Sequence, residues 1–205
     1  MALDRLDSYR SNTTARGAPQ ASKGQFMTSA VSNVPAAEKR AEGRVSRRAG
    51  LLADRLAAGA QALAALATSL TDAEWQTPIS ATDSRTIGVV IHHVASVYPV
   101  EIQLASPLAS GKAVTGVTNG DINAMNANHA VEQRRAAKAE TIELLRRNSA
   151  AAEAAIRALS DEELDGAATV SLYDDAPLTC QFVLEDHAVR HSYHHLALVR
   201  AAVKR

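Results

Sequence analysis

HAVRHSYHHLALVRAAV, His187 to Val203, holds four of the chain's seven histidines. At about 100° per residue, a helix here sets His187 and His195 about 40° either side of His191, and His194 about 60° away. Leu184, Ala188, Leu198 and Ala202 fall on the same stripe, which is the face expected to turn toward a core. Several imidazoles are thereby carried together into an apolar environment. Burying titratable rings is costly unless each finds a partner, and a divalent metal satisfies two or three at once. His191 and His195, four apart, are placed to chelate. A lone HxxxH recurs by chance, and a lone inward histidine is more often a hydrogen-bonded core residue than a ligand.

A second helix changes that balance. From about Thr86 to Leu108, His93 shares a face with Val89, Val90, Val97, Val100 and Leu104, while His92 sits about 100° off at its edge. Three imidazoles, His93, His191 and His195, with a water completing the sphere make an open metal site rather than a closed structural one. His92, His187 and His194 read as supporting, surface or capping residues, and His129 as a surface residue.

Around these two helices the pattern is helical almost throughout. GLLADRLAAGAQALAALATSL, residues 50–70, spaces Leu51, Leu52, Leu56, Leu63 and Leu66 along one stripe. Thr71-Asp72-Ala73-Glu74 matches a capping box and sets Trp75 to plug the end of a bundle. Pro99 interrupts helix two and should free the carbonyl of Ala95. After a loop from Gly111 to Gly120, a long third helix is expected from about Asp121 to Leu159. A second capping box, Ser160 to Glu163, follows it. Val170 to Pro177, with Tyr173, Asp174 and Asp175, reads as an irregular crossing, and helix four as about Thr179 to Val203. The expectation is an all-α, up-down-type four-helix bundle with a long crossing before the last helix. The bundle domain spans 36–205, after a flexible tail over 1–35 that shows no hydrophobic period.

Composition narrows the function. Hydrophobic residues make up 46% of the 205 but aromatic ones only 3%, so the core must be Ala, Leu and Val at close range. Lys plus Arg equals Asp plus Glu at 22 each, so no net field draws nucleic acid or an anionic membrane. Cys180 is the only cysteine, which removes an internal disulfide and any cysteine-based zinc motif. No continuous apolar run approaches the roughly 20 residues of a membrane span. A cytoplasmic protein acting on a small molecule is expected, with homodimer formation left open.

TIGVVIHHV, Thr86 to Val94, resembles a histidine-bearing segment of DinB-like and YfiT-like proteins, with His93 at the ligand position. HSYHHLALVR resembles their last-helix motif, which maps onto His191 and His195, and LTDAEWQTPIS and Asp121-Ile122-Asn123-Ala124 also look familial. The resemblance covers about residues 50–203. It implies a DinB-like bundle with one divalent metal (Zn, Ni, Co or Fe) on three histidines, and activities that differ among members. Bacillithiol S-transferases and the mycothiol-dependent maleylpyruvate isomerase are among the relatives, and the abundance of Arg and Ala hints at mycothiol.

The leading expectation is therefore a metal-dependent transferase that presents a low-molecular-weight thiol, mycothiol-like, to a small electrophile. Asp121, Asn123, Asn126 and Glu101 are candidates for orienting it. Each also has an ordinary reading: Asp121 as a helix cap, the asparagines as solvated first-turn residues, Glu101 as a surface carboxylate. A metal-dependent hydrolase using the same three ligands is the alternative, for which the sequence offers no evident general base. A non-catalytic metal-binding stress protein is the third.

Overall fold

The computed structural model describes residues 46–204. The tail expected over 1–35 and the first helical residues expected from 36 lie outside that range. Helix α1 (Arg47–Ser69) starts at Ser46, whose Oγ accepts from the Ala49 amide at 3.0 Å. Its buried face alternates Leu52, Leu56 and Leu63 with Ala49, Ala53, Ala60, Ala64 and Ala67. Leu51 is exposed and Leu66 half-buried, because the inward stripe follows the alanines as much as the leucines. Small side chains let neighbouring helices approach closely. At Gly59 a Cβ would meet the Tyr193 ring at 2.8 Å.

Thr71 and Glu74 form the expected capping box at the start of α2 (Asp72–Trp75). Trp75 is buried against Gly88 and donates its indole N–H to the Ala136 carbonyl at 2.9 Å. Helix α3 (Ile87–Ala109) begins at Thr86 and runs on through Pro99 and Pro107. Pro99 has no N–H to give the Ala95 carbonyl, and Asn148 Nδ2 donates to that oxygen instead, at 2.8 Å. By length and composition α3 could cross a membrane, contrary to the sequence expectation. Here it is the central helix of the bundle, packed on its neighbours through thirteen buried residues.

The long third helix is two helices, α4 (Asn119–Glu132) and α5 (Lys138–Arg157). No glycine or proline marks the break. It falls where the Ala136 carbonyl turns out of the helix to accept from Trp75, and where burial changes abruptly. α4 buries no residue, whereas α5 packs Ile142, Leu145, Ala152 and Ile156 against α1 and α3. Ser160 caps α6 (Asp161–Asp165) with the second predicted box.

The crossing is more regular than expected. β1 (Ala167–Val170) and β2 (Ala176–Thr179) pair antiparallel, Ala167 opposite Thr179 and Val170 opposite Ala176. Asp174 and Asp175 turn the hairpin with φ of 55° and 59°, a left-handed conformation that aspartate tolerates better than most residues. Strand propensity did not announce a hairpin this short.

The last helix starts at Thr179 as α7 (Cys180–Leu184), widens into a π turn over Glu185–Val189, and continues as α8 (Arg190–Val203). The wide turn takes up extra residues and rotates α8 relative to α7. The inward stripe of α8 is consequently His191, Ser192, His195, Leu196, Val199 and Ala202, with Leu198 half-buried. The four long helical segments, α1, α3, α5 and α7–α8, form the bundle, and the hairpin crosses before the last of them.

Candidate metal centre

His93 lies on the buried face of α3, and His191 and His195 lie one turn apart on α8. Each offers a ring nitrogen, and these nitrogens all fall within 4.8 Å of one another. Ring centroids are 5.1 Å apart for His93 and His191, 5.7 Å for His93 and His195, and 4.7 Å for His191 and His195. The residues are 5%, 8% and 0% exposed, so the cluster is enclosed. Between the two helices the buried Tyr98 hydroxyl meets Ser192 Oγ, which fixes α8 in rotation against α3 beside the cluster.

Glu101 sits two turns beyond His93 on α3, and it is buried rather than at the surface. Its Oε1 accepts from His191 Nδ1. A carboxylate only accepts here, so a proton lies on Nδ1, and in the neutral ring Nε2 keeps the lone pair a metal needs. Pairing of this kind sets a ligand's tautomer and raises its basicity. The other oxygen, Oε2, is buried and has no hydrogen-bond partner among the described residues. A carboxylate so placed calls for positive charge nearby. Burial, followed by the influence of His191, His194 and Arg85, holds His195 well below the usual histidine range, hence neutral and able to donate its lone pair. Three imidazoles facing each other, backed by a buried carboxylate, are a donor set that fits a divalent transition metal.

His129 is not the surface residue expected. α4 carries it over the cluster, with its ring 5.5 Å from that of His93. His129 Nε2 and His92 Nδ1 share a hydrogen bond of 2.9 Å. Burial pushes both rings down, and with the nearby His92 and Arg85 charges it takes His129 to about 4. His194 packs its ring 5.0 Å from that of His195, at the edge of the cluster.

His187 shares a hydrogen bond of 2.9 Å with the Tyr173 hydroxyl, which donates to Asp186 at 2.5 Å. This network ties the hairpin to the π turn. Of the other residues read from sequence, Asp121 is exposed, its carboxylate accepting from the Thr118 amide at 3.0 Å to cap α4. Thr118, not Asp121, is the capping residue itself. Asn123 is exposed and Asn126 half-buried. Glu101 is thus joined directly to the histidine cluster through His191. Sequence reasoning missed the Tyr98–Ser192 contact and the place of His129.

The comparison with curated proteins gives no match. Among solved structures, the chain is similar to YfiT from Bacillus subtilis, described as a probable metal-dependent hydrolase with an unusual four-helix bundle topology. The TM-score is 0.62 at 19% identity, covering 82% of this chain and 93% of that one, a likeness of fold. The family model of the DinB superfamily matches residues 55–199, from mid-α1 through nearly all of α8 and with all three clustered histidines inside it. The chain therefore belongs to the DinB superfamily.

Proposed function

We propose that this protein is a metal-dependent enzyme whose one divalent transition metal (Zn, Ni, Co or Fe) is held by His93, His191 and His195. The observation that carries the reading is the enclosed meeting of three imidazoles with Glu101 behind His191. A metal in that position supplies a Lewis acid that lowers the pKa of a water or thiol and polarises a carbonyl.

Hydrolysis suits the geometry best. Ligands no more than 8% exposed leave room for water more readily than for a bulky thiol. The His92–His129 pair, kept neutral by burial, supplies the base that the sequence alone did not reveal, and His129 lies against His93. It can take a proton from a nucleophile at the cluster and pass it outward through their shared hydrogen bond. Transfer from a mycothiol-like thiol to a small electrophile is the second reading. α4 buries no residue, so shifting it to admit a larger thiol would disrupt little packing. The balance of charge supports a small-molecule substrate over nucleic acid or an anionic membrane surface, in a protein we place in the cytoplasm.

Elemental analysis of wild type and single alanine variants tests the centre. Wild type should carry stoichiometric metal, and His93→Ala, His191→Ala and His195→Ala should lose it. His92→Ala and His194→Ala should retain it with modestly changed affinity. Retention in all three ligand variants would overturn the reading. Assays of ester hydrolysis and of thiol addition to an electrophile then separate the two chemistries.

A further inference from the structure

α4 covers the histidine cluster without being built into the core. From Thr118 to Arg135 no residue is buried, and the apolar Met125 and Val131 stand exposed. The helix packs mainly on α3, and the side-chain hydrogen bonds of Thr118, Asp121 and Arg134 close within the stretch itself. Both of its ends, by contrast, are fixed. Ahead of it, Val114 donates to the Thr169 carbonyl and accepts from the Ser171 amide, each at 2.9 Å. Ser171 Oγ then accepts from the Val117 amide at 3.0 Å and donates to the Val117 carbonyl at 2.8 Å. Behind it, the Ala136 carbonyl is held by the Trp75 indole. Between these anchors His129 reaches inward, bonding His92 at 2.9 Å and setting its ring 5.5 Å from that of His93, which is 5% exposed beneath it.

A segment with few buried contacts opens at a free energy well below that of global unfolding, and the elements that gate binding sites are drawn from that end. Anchors on both sides let such a helix swing out and return to the same place. We propose that α4 is a lid over the histidine cluster, hinged at Val117 and Ala136 and latched by His129, and that metal and substrate enter when it opens. The lid deepens the metal-centre reading by giving the site its route of entry, and rests on that reading for what it encloses but not for its opening. A lid that leaves the bound state unchanged slows entry and escape by one factor, so it governs rates and leaves affinity nearly alone.

Two measurements on the full chain test this. The first follows, by stopped flow, Zn uptake and Zn release to a chelator. His129→Ala removes the latch, and Ser171→Ala loosens a hinge on the hairpin, outside the cluster. Each should raise both rates up to about tenfold, the effect of one lost hydrogen bond on the opening equilibrium, and keep Kd within about threefold of wild type. The second is hydrogen exchange in the metal-free protein. Amides of α4 should exchange at least about tenfold faster than those of the buried α3, and His129→Ala should speed α4 further while leaving α3 and α5 unchanged. Exchange in α4 as slow as in α3, or unaltered by His129→Ala, would overturn the lid. So would a changed Kd carried by one rate alone, which would make His129 a binding residue rather than a latch. If the protein binds no Zn, the metal-centre reading falls and the exchange measurement by itself decides the lid.

Discussion

Replacing Glu101 by Gln tests whether the buried carboxylate serves the histidine cluster or merely fills space. The amide keeps the shape, and its oxygen can still accept from His191 Nδ1, but the charge is gone. A partner of this kind behind a ligating histidine is worth about 10- to 100-fold in metal affinity. That corresponds to about 1.4 to 2.7 kcal/mol. The Glu101 side chain is 7% exposed, so solvent screens little of its charge and the upper half of the range is expected. Competition against a chelator with Zn or Co at neutral pH reads the affinity directly. Metal-free Glu101→Gln should unfold within about 1 kcal/mol of wild type, since one hydrogen bond is weakened and a buried charge with an unbonded oxygen is removed. An affinity within threefold of wild type would refute the reasoning. So would a variant destabilised equally with and without metal, which would mark Glu101 as a packing residue.

Single contacts elsewhere in the bundle have consequences of their own. Gly88→Ala would place a Cβ 2.3 Å from Trp75 Nε1, so it should destabilise by about 1–3 kcal/mol and red-shift the indole emission as Trp75 leaves the Ala136 carbonyl. Unchanged melting and emission would contradict that packing. Asn148→Ala strips the donor from the Ala95 carbonyl and should lower stability by about 1–3 kcal/mol. In a Pro99→Ala background, where a backbone N–H is restored, the same change should cost about 1 kcal/mol less, and an additive double-mutant cycle would dismiss the link. Burial holds His129, His187 and His195 below their ordinary value of 6.5 when folded, so the unfolded chain binds protons first as pH falls. Metal-free protein should therefore be fully stabilised by these groups above about pH 6.5 and progressively lose that contribution toward pH 4. Denaturant midpoints equal at pH 7.5 and pH 5 would dispose of this.

Helical periodicity placed His93, His191 and His195 on inward faces because side-chain direction within a helix is a local property. Local rules of the same kind identified the capping residues Thr71 and Ser160, and found the carbonyl that Pro99 sets free. They did not identify the donor to that carbonyl. Asn148 is 53 residues away, and its role exists only because α5 packs on α3. Nor did they find the break between α4 and α5, which results from Trp75 claiming the Ala136 carbonyl across 61 residues. The π turn shifted the face of α8 by an amount that a uniform 100° step cannot anticipate. Glu101 and His129 gained their places only through packing, one by meeting His191 from another helix and the other by riding on a helix with no buried residue of its own. Sequence by itself determined the bundle and the histidines it turns inward. Tertiary packing decided which neighbours hold those histidines, because contacts between distant helices leave no periodic trace along the chain.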